Sequence, residues 1–297
     1  MPDLNQLITE SVNPDTVRID ECSTEEMLYM INREDCKVAP AVREQIPQIA
    51  KAVDLIYQAM RKGGRLFYVG AGTSGRLGFL DAFECPPTYG VDPQLVQACV
   101  AGGDLYRESE GCEDNAQEGA ALISERGVTE RDVVVGISAS GSAAYVVSAL
   151  RAARKVGAGT VGLTNNQNNG FEQECDVCIA PVCGPEVISG STRMKAGTSQ
   201  KLVLNMLTTA VMVRLGKVYG NRMVDVQVTN QKLVHRSIRM IAEITGVSEP
   251  DAETWLNRTN GNVKQAIFCI LSGKDPKTAQ RCLEKNHGVL KDALKHL

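Results

Sequence analysis

Two patterns of apolar residues alternate along the chain: short continuous runs, and residues spaced three or four positions apart. Short apolar runs flanked by turn residues predict buried strands at "RLFYVG" (65–70), "LVQACVAG" (95–102), "DVVVGIS" (132–138), "TVGLTN" (160–165) and "VCIAPV" (177–182). Between these runs, apolar residues recur every three or four positions, which is typical of amphipathic helices. Strands that alternate with helices predict an α/β fold, with a parallel sheet covered by helices on both faces.

Local signals indicate where several helices begin and end. Ser23 and Glu26 have the spacing of a capping box, which predicts a helix start. The apolar positions within 42–56 predict one long amphipathic helix, ended by the glycine pair at 63–64. The helix after the first strand is expected to end by Cys85, because residues before proline avoid helical geometry.

The pattern predicts three regions. Residues 1–64 form a helical segment that packs on the sheet domain, and residues 65–229 form the sheet domain itself. Residues 230–297 form a C-terminal helical region with a small three-helix module, since three short helical patterns are separated there by glycine and proline.

Composition narrows the class of protein. The 297 residues carry a net charge of −3 without a basic stripe, which argues against a nucleic-acid partner. The longest apolar stretch, 202–213, is shorter than the roughly 20 residues of a membrane span, so we expect no membrane association. The N-terminus has no secretory signal pattern, and ten scattered cysteines indicate free thiols in the cytoplasm. Cys175 and Cys178 have metal-site spacing but lack partner ligands nearby in sequence.

Two turns rich in glycine and hydroxyl groups follow predicted strands. The first contains Gly72, Thr73 and Ser74, and the second contains Ser138, Ser140, Gly141 and Ser142. Ligands of parallel sheets bind at the carboxyl ends of the strands, and helix N-termini attract anions. The two turns therefore predict a site for a phosphorylated polyol. One competing interpretation is that these are ordinary serine-capped turns. Another is a dinucleotide site built on Gly70-x-Gly72-x-x-Gly75 with Asp104 as the ribose ligand, but the second turn argues against it.

Longer motifs carry a resemblance to a known family. "SASG" followed by a helix resembles the phosphosugar-binding turn of sugar isomerase (SIS) domains. "GAGTSGRLG" (70–78), "ECPPTYG" (84–90) and "GPEVISGSTRMKAGTSQK" (184–201) look like signatures of the N-acetylmuramic acid 6-phosphate etherases, which are related to glucokinase regulatory protein. The similarity extends from "LITESVNPDT" (7–16) through the helical tail.

The resemblance implies a flavodoxin-like sheet and a homodimer with its sites near the subunit interface. It also implies a lyase that needs no metal or other cofactor. Such an enzyme removes the D-lactyl ether of N-acetylmuramic acid 6-phosphate by elimination and adds water, giving N-acetylglucosamine 6-phosphate and D-lactate in cell-wall amino sugar recycling or catabolism. An aldose–ketose phosphosugar isomerase and a non-catalytic sugar-phosphate-binding regulator remain alternatives.

The resemblance also assigns roles to residues. Glu84 matches the general acid for lactate departure, and Glu113 matches the second acid/base residue. The competing interpretations are a solvated helix end for Glu84 and a helix N-terminal acid for Glu113. Further binding candidates are Glu186, Ser191 and Thr192.

Two features of the sequence do not fit the family pattern simply. Ala143 stands where many SIS domains have threonine, so Ser138, Ser140 or Ser142 must replace its hydroxyl. Ten helical residues separate Ser74 from Glu84, or about 15 Å. Either this helix breaks early, or Glu84 serves the site of a partner subunit.

Overall fold

The structure, a computed structural model, describes residues 7–105, 111–167, 169–226 and 231–296. These residues form two compact units. One takes in the described residues up to Phe83 together with Pro93–Thr208, and the other takes in Glu84–Asp92 and the described residues from Thr209 onward. The predicted domain boundary at 229/230 lies outside the described residues.

Three helices precede the sheet: α1 (Thr24–Asp35), α2 (Val38–Glu44) and α3 (Ile46–Arg61). The capping box that starts α1 is confirmed, with both Ser23 and Glu26 bonding to each other's backbone N–H. The prediction of a single long helix over 42–56 is wrong, because the helix is interrupted at Gln45, between α2 and α3. Pro47 in the first turn of α3 has no N–H to donate, and its ring would clash with a preceding helical carbonyl.

Five parallel strands form the sheet: β1 (Leu66–Gly70), β2 (Val96–Val100), β3 (Val133–Ile137), β4 (Gly159–Leu163) and β5 (Val177–Ile179). Their order across the sheet is β2-β1-β3-β4-β5. Every residue of the central strands β1 and β3 is buried, as expected when helices cover both faces. The predicted flavodoxin-like α/β fold is confirmed.

The helices α4 (Gly72–Tyr89), α5 (Ala116–Glu125), α6 (Ala144–Lys155) and α7 (Lys195–Arg214) follow strands of the sheet. The predicted end of α4 at Cys85 is wrong, because the helix continues through Pro86 and Pro87. A proline ring fixes φ near the helical value, so proline removes backbone donors while still permitting helical φ. The N–H of Gly90 donates to the Pro86 carbonyl at 2.9 Å, which completes the last turn.

The second unit contains a short hairpin, β6 (Val218–Tyr219) with β7 (Arg222–Met223), and helix α8 (Gln231–Thr245). Four helices follow within residues 246–296, one more than the three predicted. They are α9 (Glu249–Arg258), α10 (Val263–Ser272), α11 (Pro276–Lys285) and α12 (Leu290–Lys295). No helix in the described part of the chain has both the length and the apolar character needed to cross a bilayer.

Candidate active site

The strand order creates a binding crevice between β1 and β3. From β1 the chain crosses to β2 on one side, whereas β3 continues to β4 on the other. Connections that leave in opposite directions open a crevice at the carboxyl ends of the two strands. Both turns predicted to bind phosphate lie there, one after each strand.

A cavity of about 520 Å³ occupies this position, within the range of small-molecule sites. It lies entirely within the first unit. Eight of the residues predicted from the sequence line it: Gly72, Thr73, Ser74, Glu113, Ser138, Ser140, Ser142 and Thr192.

The first turn is shaped by a close backbone approach. A Cβ atom on Gly75 would lie 2.6 Å from the Gly70 carbonyl oxygen, so glycine lets the first turn of α4 pack against the end of β1. The buried hydroxyl of Ser74 donates to Gln200 Oε1 at 2.9 Å. Gln200 in turn donates to Asn165 Oδ1 at 3.1 Å. The N-terminus of α4 is thereby held in position at the cavity.

The second turn presents a cluster of hydroxyls. Gly141 has a φ of +72°, and its N–H donates to Ser138 Oγ at 3.2 Å. The Ser142 hydroxyl donates to Ser140 Oγ at 2.9 Å. Ala143 is the N-cap of α6 and provides no side-chain cap. Helix N–H groups without a side-chain partner are suited to bind an anion such as phosphate.

Glu113 lies in a 3₁₀ turn, Cys112–Asp114, ahead of α5. Helix α5 itself starts at Ala116, with Asn115 as its side-chain cap. Glu113 is therefore outside the first turn of the helix, and its side chain lines the cavity together with Asp114. Its acid/base role remains a prediction.

Glu84 does not line this cavity. It is exposed on the uninterrupted helix α4, ten residues after Ser74, which corresponds to about 15 Å along the axis. Of the two expectations for Glu84, an early helix break is therefore wrong. Its role as general acid remains a prediction.

Three other predicted binding residues are absent from the cavity lining: Gly141, Glu186 and Ser191. The buried carboxylate of Glu186 accepts the backbone N–H groups of Lys195 and Ala196 at 3.0 and 2.9 Å. It therefore caps the N-terminus of α7. Burial raises the pKa of this carboxyl, although the two backbone donors oppose the effect. Its binding role remains a prediction.

Comparison with known proteins identifies the family. The N-acetylmuramic acid 6-phosphate etherase of Caldanaerobacter subterraneus subsp. tengcongensis is 54% identical over 98% of this chain and 96% of its own length. The N-acetylmuramic acid 6-phosphate etherase of Aliivibrio salmonicida is 51% identical, over 98% of each chain. This chain belongs to the N-acetylmuramic acid 6-phosphate etherase family. The family predicted from the sequence motifs is confirmed.

Domain-level matches agree with this etherase architecture. The glucokinase regulatory protein N-terminal SIS domain matches residues 48–154, and the SIS domain matches residues 116–210. The C-terminal lid domain of glucokinase regulatory protein matches residues 220–265. A phosphoheptose isomerase from Neisseria gonorrhoeae has a TM-score of 0.50 at 18% identity, over 64% of this chain and 98% of that chain. At that identity the structural match shows the shared fold alone.

Three residues that line the cavity were not predicted from the sequence motifs. Leu7 and Glu10, from the segment before α1, line it together with Gly190. These residues belong to "LITESVNPDT" and "GPEVISGSTRMKAGTSQK", which carried the family resemblance but gave no local sign of facing a ligand. Contacts between residues so far apart in sequence leave no periodicity to detect.

Proposed function

We propose that this chain is a lyase that removes D-lactate from N-acetylmuramic acid 6-phosphate and yields N-acetylglucosamine 6-phosphate. The observation that carries the proposal is one cavity lined by two donor-rich turns and the Glu113 carboxylate. The names of relatives that are 50% or more identical over nearly the whole chain support an etherase over an isomerase or a regulator.

The reaction needs an acid and a base. In the open-chain sugar, C1 is an aldehyde, which acidifies the C2 proton and makes the C3 ether a β leaving group. A base removes the C2 proton, and the C3–O bond breaks as an acid protonates the departing lactate. Water then adds at C3 and a proton returns to C2. General acid–base groups typically contribute about 10²–10⁴-fold each.

The cavity suits this substrate at its phosphate end. The turns after β1 and β3 supply hydroxyls and helix N-termini for the phosphate. We assign Glu113, which lines the cavity, to one of the proton transfers. Because the chain has ten scattered cysteines, we also propose that the enzyme acts in the cytoplasm.

Glu84 supports a further element of the proposal, a homodimer with shared sites. Three apolar side chains next to Glu84 on α4 are exposed, namely Phe79, Leu80 and Phe83, and the rings of Phe79 and Phe83 are stacked with centroids 5.8 Å apart. Exposed clusters of large apolar residues are typical of association surfaces. We propose that this face of α4 packs on a second subunit and that Glu84 acts in the partner's cavity.

Proton NMR in D₂O with N-acetylmuramic acid 6-phosphate tests the reaction. We expect lactate release with deuterium at C2 of the product, and a loss of lactate release of at least about 100-fold in Glu113→Ala. An isomerase would release no lactate and form a ketose phosphate. Binding without any turnover by the wild type would favour a regulator.

Mixing two inactive variants tests the shared site. In a mixed dimer of Glu84→Ala and Glu113→Ala, one of the two sites has both carboxylates if Glu84 acts across the interface. Random exchange of subunits would then restore about a quarter of wild-type activity. No recovery in a dimer shown to exchange subunits would place both carboxylates in the same subunit's site and refute this part of the proposal.

A further inference from the structure

The cavity contains a second glutamate that the proposed reaction does not use, Glu10. It ends a short 3₁₀ helix, Ile8–Glu10, is exposed, and is one of the residues that line the cavity. Its Oε2 lies 3.4 Å from the position that a Cβ on Gly190 would occupy. Among the residues that the structure describes, Glu10 takes part in no ion pair and its carboxylate accepts no hydrogen bond. This carboxylate is therefore available to a ligand.

The backbone around Glu10 is fixed to the second phosphate-binding turn. The N–H of Ile8 donates to Asn166 Oδ1 at 2.8 Å. The amide of Asn166 donates to Thr9 Oγ1 at 3.0 Å and to the Ala139 carbonyl at 2.9 Å. Ala139 belongs to the turn itself and lines the cavity. Asn166 thus sets the distance between Glu10 and the proposed phosphate site.

The chain after Glu10 is fixed to the loop that carries Gly190. The Thr16 hydroxyl donates to the Val187 carbonyl at 2.8 Å, and the Ser189 hydroxyl donates to the Ser11 carbonyl at 3.3 Å. The polar side chains that flank Glu10 are thus used in holding the segment, whereas its carboxylate is not. This arrangement positions the carboxylate without involving it in the fold.

The chemistry of the two sides of the cavity differs. The turns after β1 and β3 present hydrogen-bond donors, which suit phosphate. A carboxylate presents acceptors only and repels an anion, so it suits the hydroxyl groups of a sugar. We propose that Glu10 is a specificity-determining residue that accepts hydrogen bonds from the sugar hydroxyls while the turns hold the phosphate. This inference rests on the proposed phosphosugar function.

Two ligands separate sugar recognition from phosphate recognition. N-acetylglucosamine 6-phosphate carries both groups, and inorganic phosphate carries only the second. Their affinities are measured by calorimetry on the full chain for wild type, Glu10→Ala and Glu10→Gln. Glu25→Gln is the control, because Glu25 is an exposed glutamate of the same N-terminal region that does not line the cavity.

We expect Glu10→Ala to weaken N-acetylglucosamine 6-phosphate binding by about 10- to 100-fold, the effect of a lost hydrogen bond to a charged group. Glu10→Gln keeps one acceptor and should fall between Glu10→Ala and the wild type. Phosphate affinity should stay within about twofold, because the turns are unchanged. In turnover of N-acetylmuramic acid 6-phosphate, KM should rise more than kcat falls.

Three binding results would overturn the inference: unchanged sugar-phosphate affinity, an equal loss of phosphate affinity, or a loss that the Glu25 control reproduces. A drop in Tm that accompanies the loss in both Glu10 variants would indicate a structural role and also overturn it. Because binding of the product is measured without turnover, a wild type that binds it but releases no lactate refutes the etherase proposal alone.

Discussion

A buried ion pair between Glu34 and Lys195 joins α1 to the start of α7, and its removal gives the sharpest test of the folding energetics. The Lys195 ammonium donates to Glu34 Oε2 at 2.5 Å, and both side chains are at most 2% exposed. Lys37, which is 47% exposed, also contacts Glu34 at 2.6 Å. Within the described residues, Glu34 is the one ion-pair partner of Lys195.

The two single substitutions should differ in cost. Glu34→Gln leaves the buried Lys195 ammonium without its ion-pair partner, which typically costs about 3–5 kcal/mol. Lys195→Met leaves Glu34 with Lys37 as a partner, so we expect a smaller cost, about 2–3 kcal/mol. The double variant removes both charges. Its loss in the free energy of unfolding should be smaller than the sum of the two single losses and smaller than that of Glu34→Gln alone, because replacing a whole buried pair is often nearly neutral.

Urea denaturation of the four proteins, followed by circular dichroism, measures this cycle. The exposed pair Arg18–Glu21, with side chains 78% and 56% exposed, provides a matched control that should show a coupling below about 1 kcal/mol. Additive costs of the Glu34 and Lys195 substitutions, or a coupling energy no larger than that of the control pair, would contradict this prediction. Burial raises the pKa of the Glu34 carboxyl, but its lysine partners outweigh this and lower it overall. The stabilisation should therefore be present above about pH 4.3 and be lost as the pH falls through the folded-state pKa.

Two further predictions concern the site and a buried carboxylate. Ser142→Ala should raise KM for N-acetylmuramic acid 6-phosphate about three- to tenfold. Ser148→Ala is the control and should leave KM unchanged, because the Ser148 hydroxyl donates to the Ala144 carbonyl within α6. Equal effects of the two substitutions in steady-state kinetics would contradict the assignment of Ser142 to phosphate binding. Burial raises the pKa of Asp81, although Asn205, Tyr68 and Thr208 donate to it. Because the folded-state pKa of Asp81 is raised, its contribution to stability is fully present below the unfolded-state pKa of about 3.9. That contribution is lost as the pH rises through the folded-state pKa. In urea denaturation, Asp81→Asn should therefore lower the free energy of unfolding less at pH 7 than at pH 4. A loss that grows with pH would contradict the raised pKa of Asp81.

Local signals predicted the parts of the fold that depend on a few neighbouring residues. The capping box at Ser23 and the five strands are confirmed, because side-chain periodicity and capping act over one or two turns. Where neighbouring prolines decided a helix end, the prediction was less reliable: Pro47 interrupts the run predicted as one helix, and α4 continues through Pro86 and Pro87. The interruption at Pro47 follows the local preference of proline, which apolar periodicity alone does not register, whereas at Pro86 and Pro87 tertiary context overrides that preference.

The family, the parallel α/β sheet and the two turns that flank the cavity could all be predicted from sequence motifs, since glycine, serine and strand periodicity are local properties. Glu113 was expected at the site from its motif, but the positions of Glu10 and Glu186 relative to the cavity depend on the folded structure. It brings Glu10 there through contacts such as Ile8 with Asn166, which are 158 residues apart, and it uses Glu186 to cap α7. A carboxylate has the same local sequence signature whether it caps a helix, faces solvent or binds a ligand. Its surroundings come from distant segments that meet only in the folded chain.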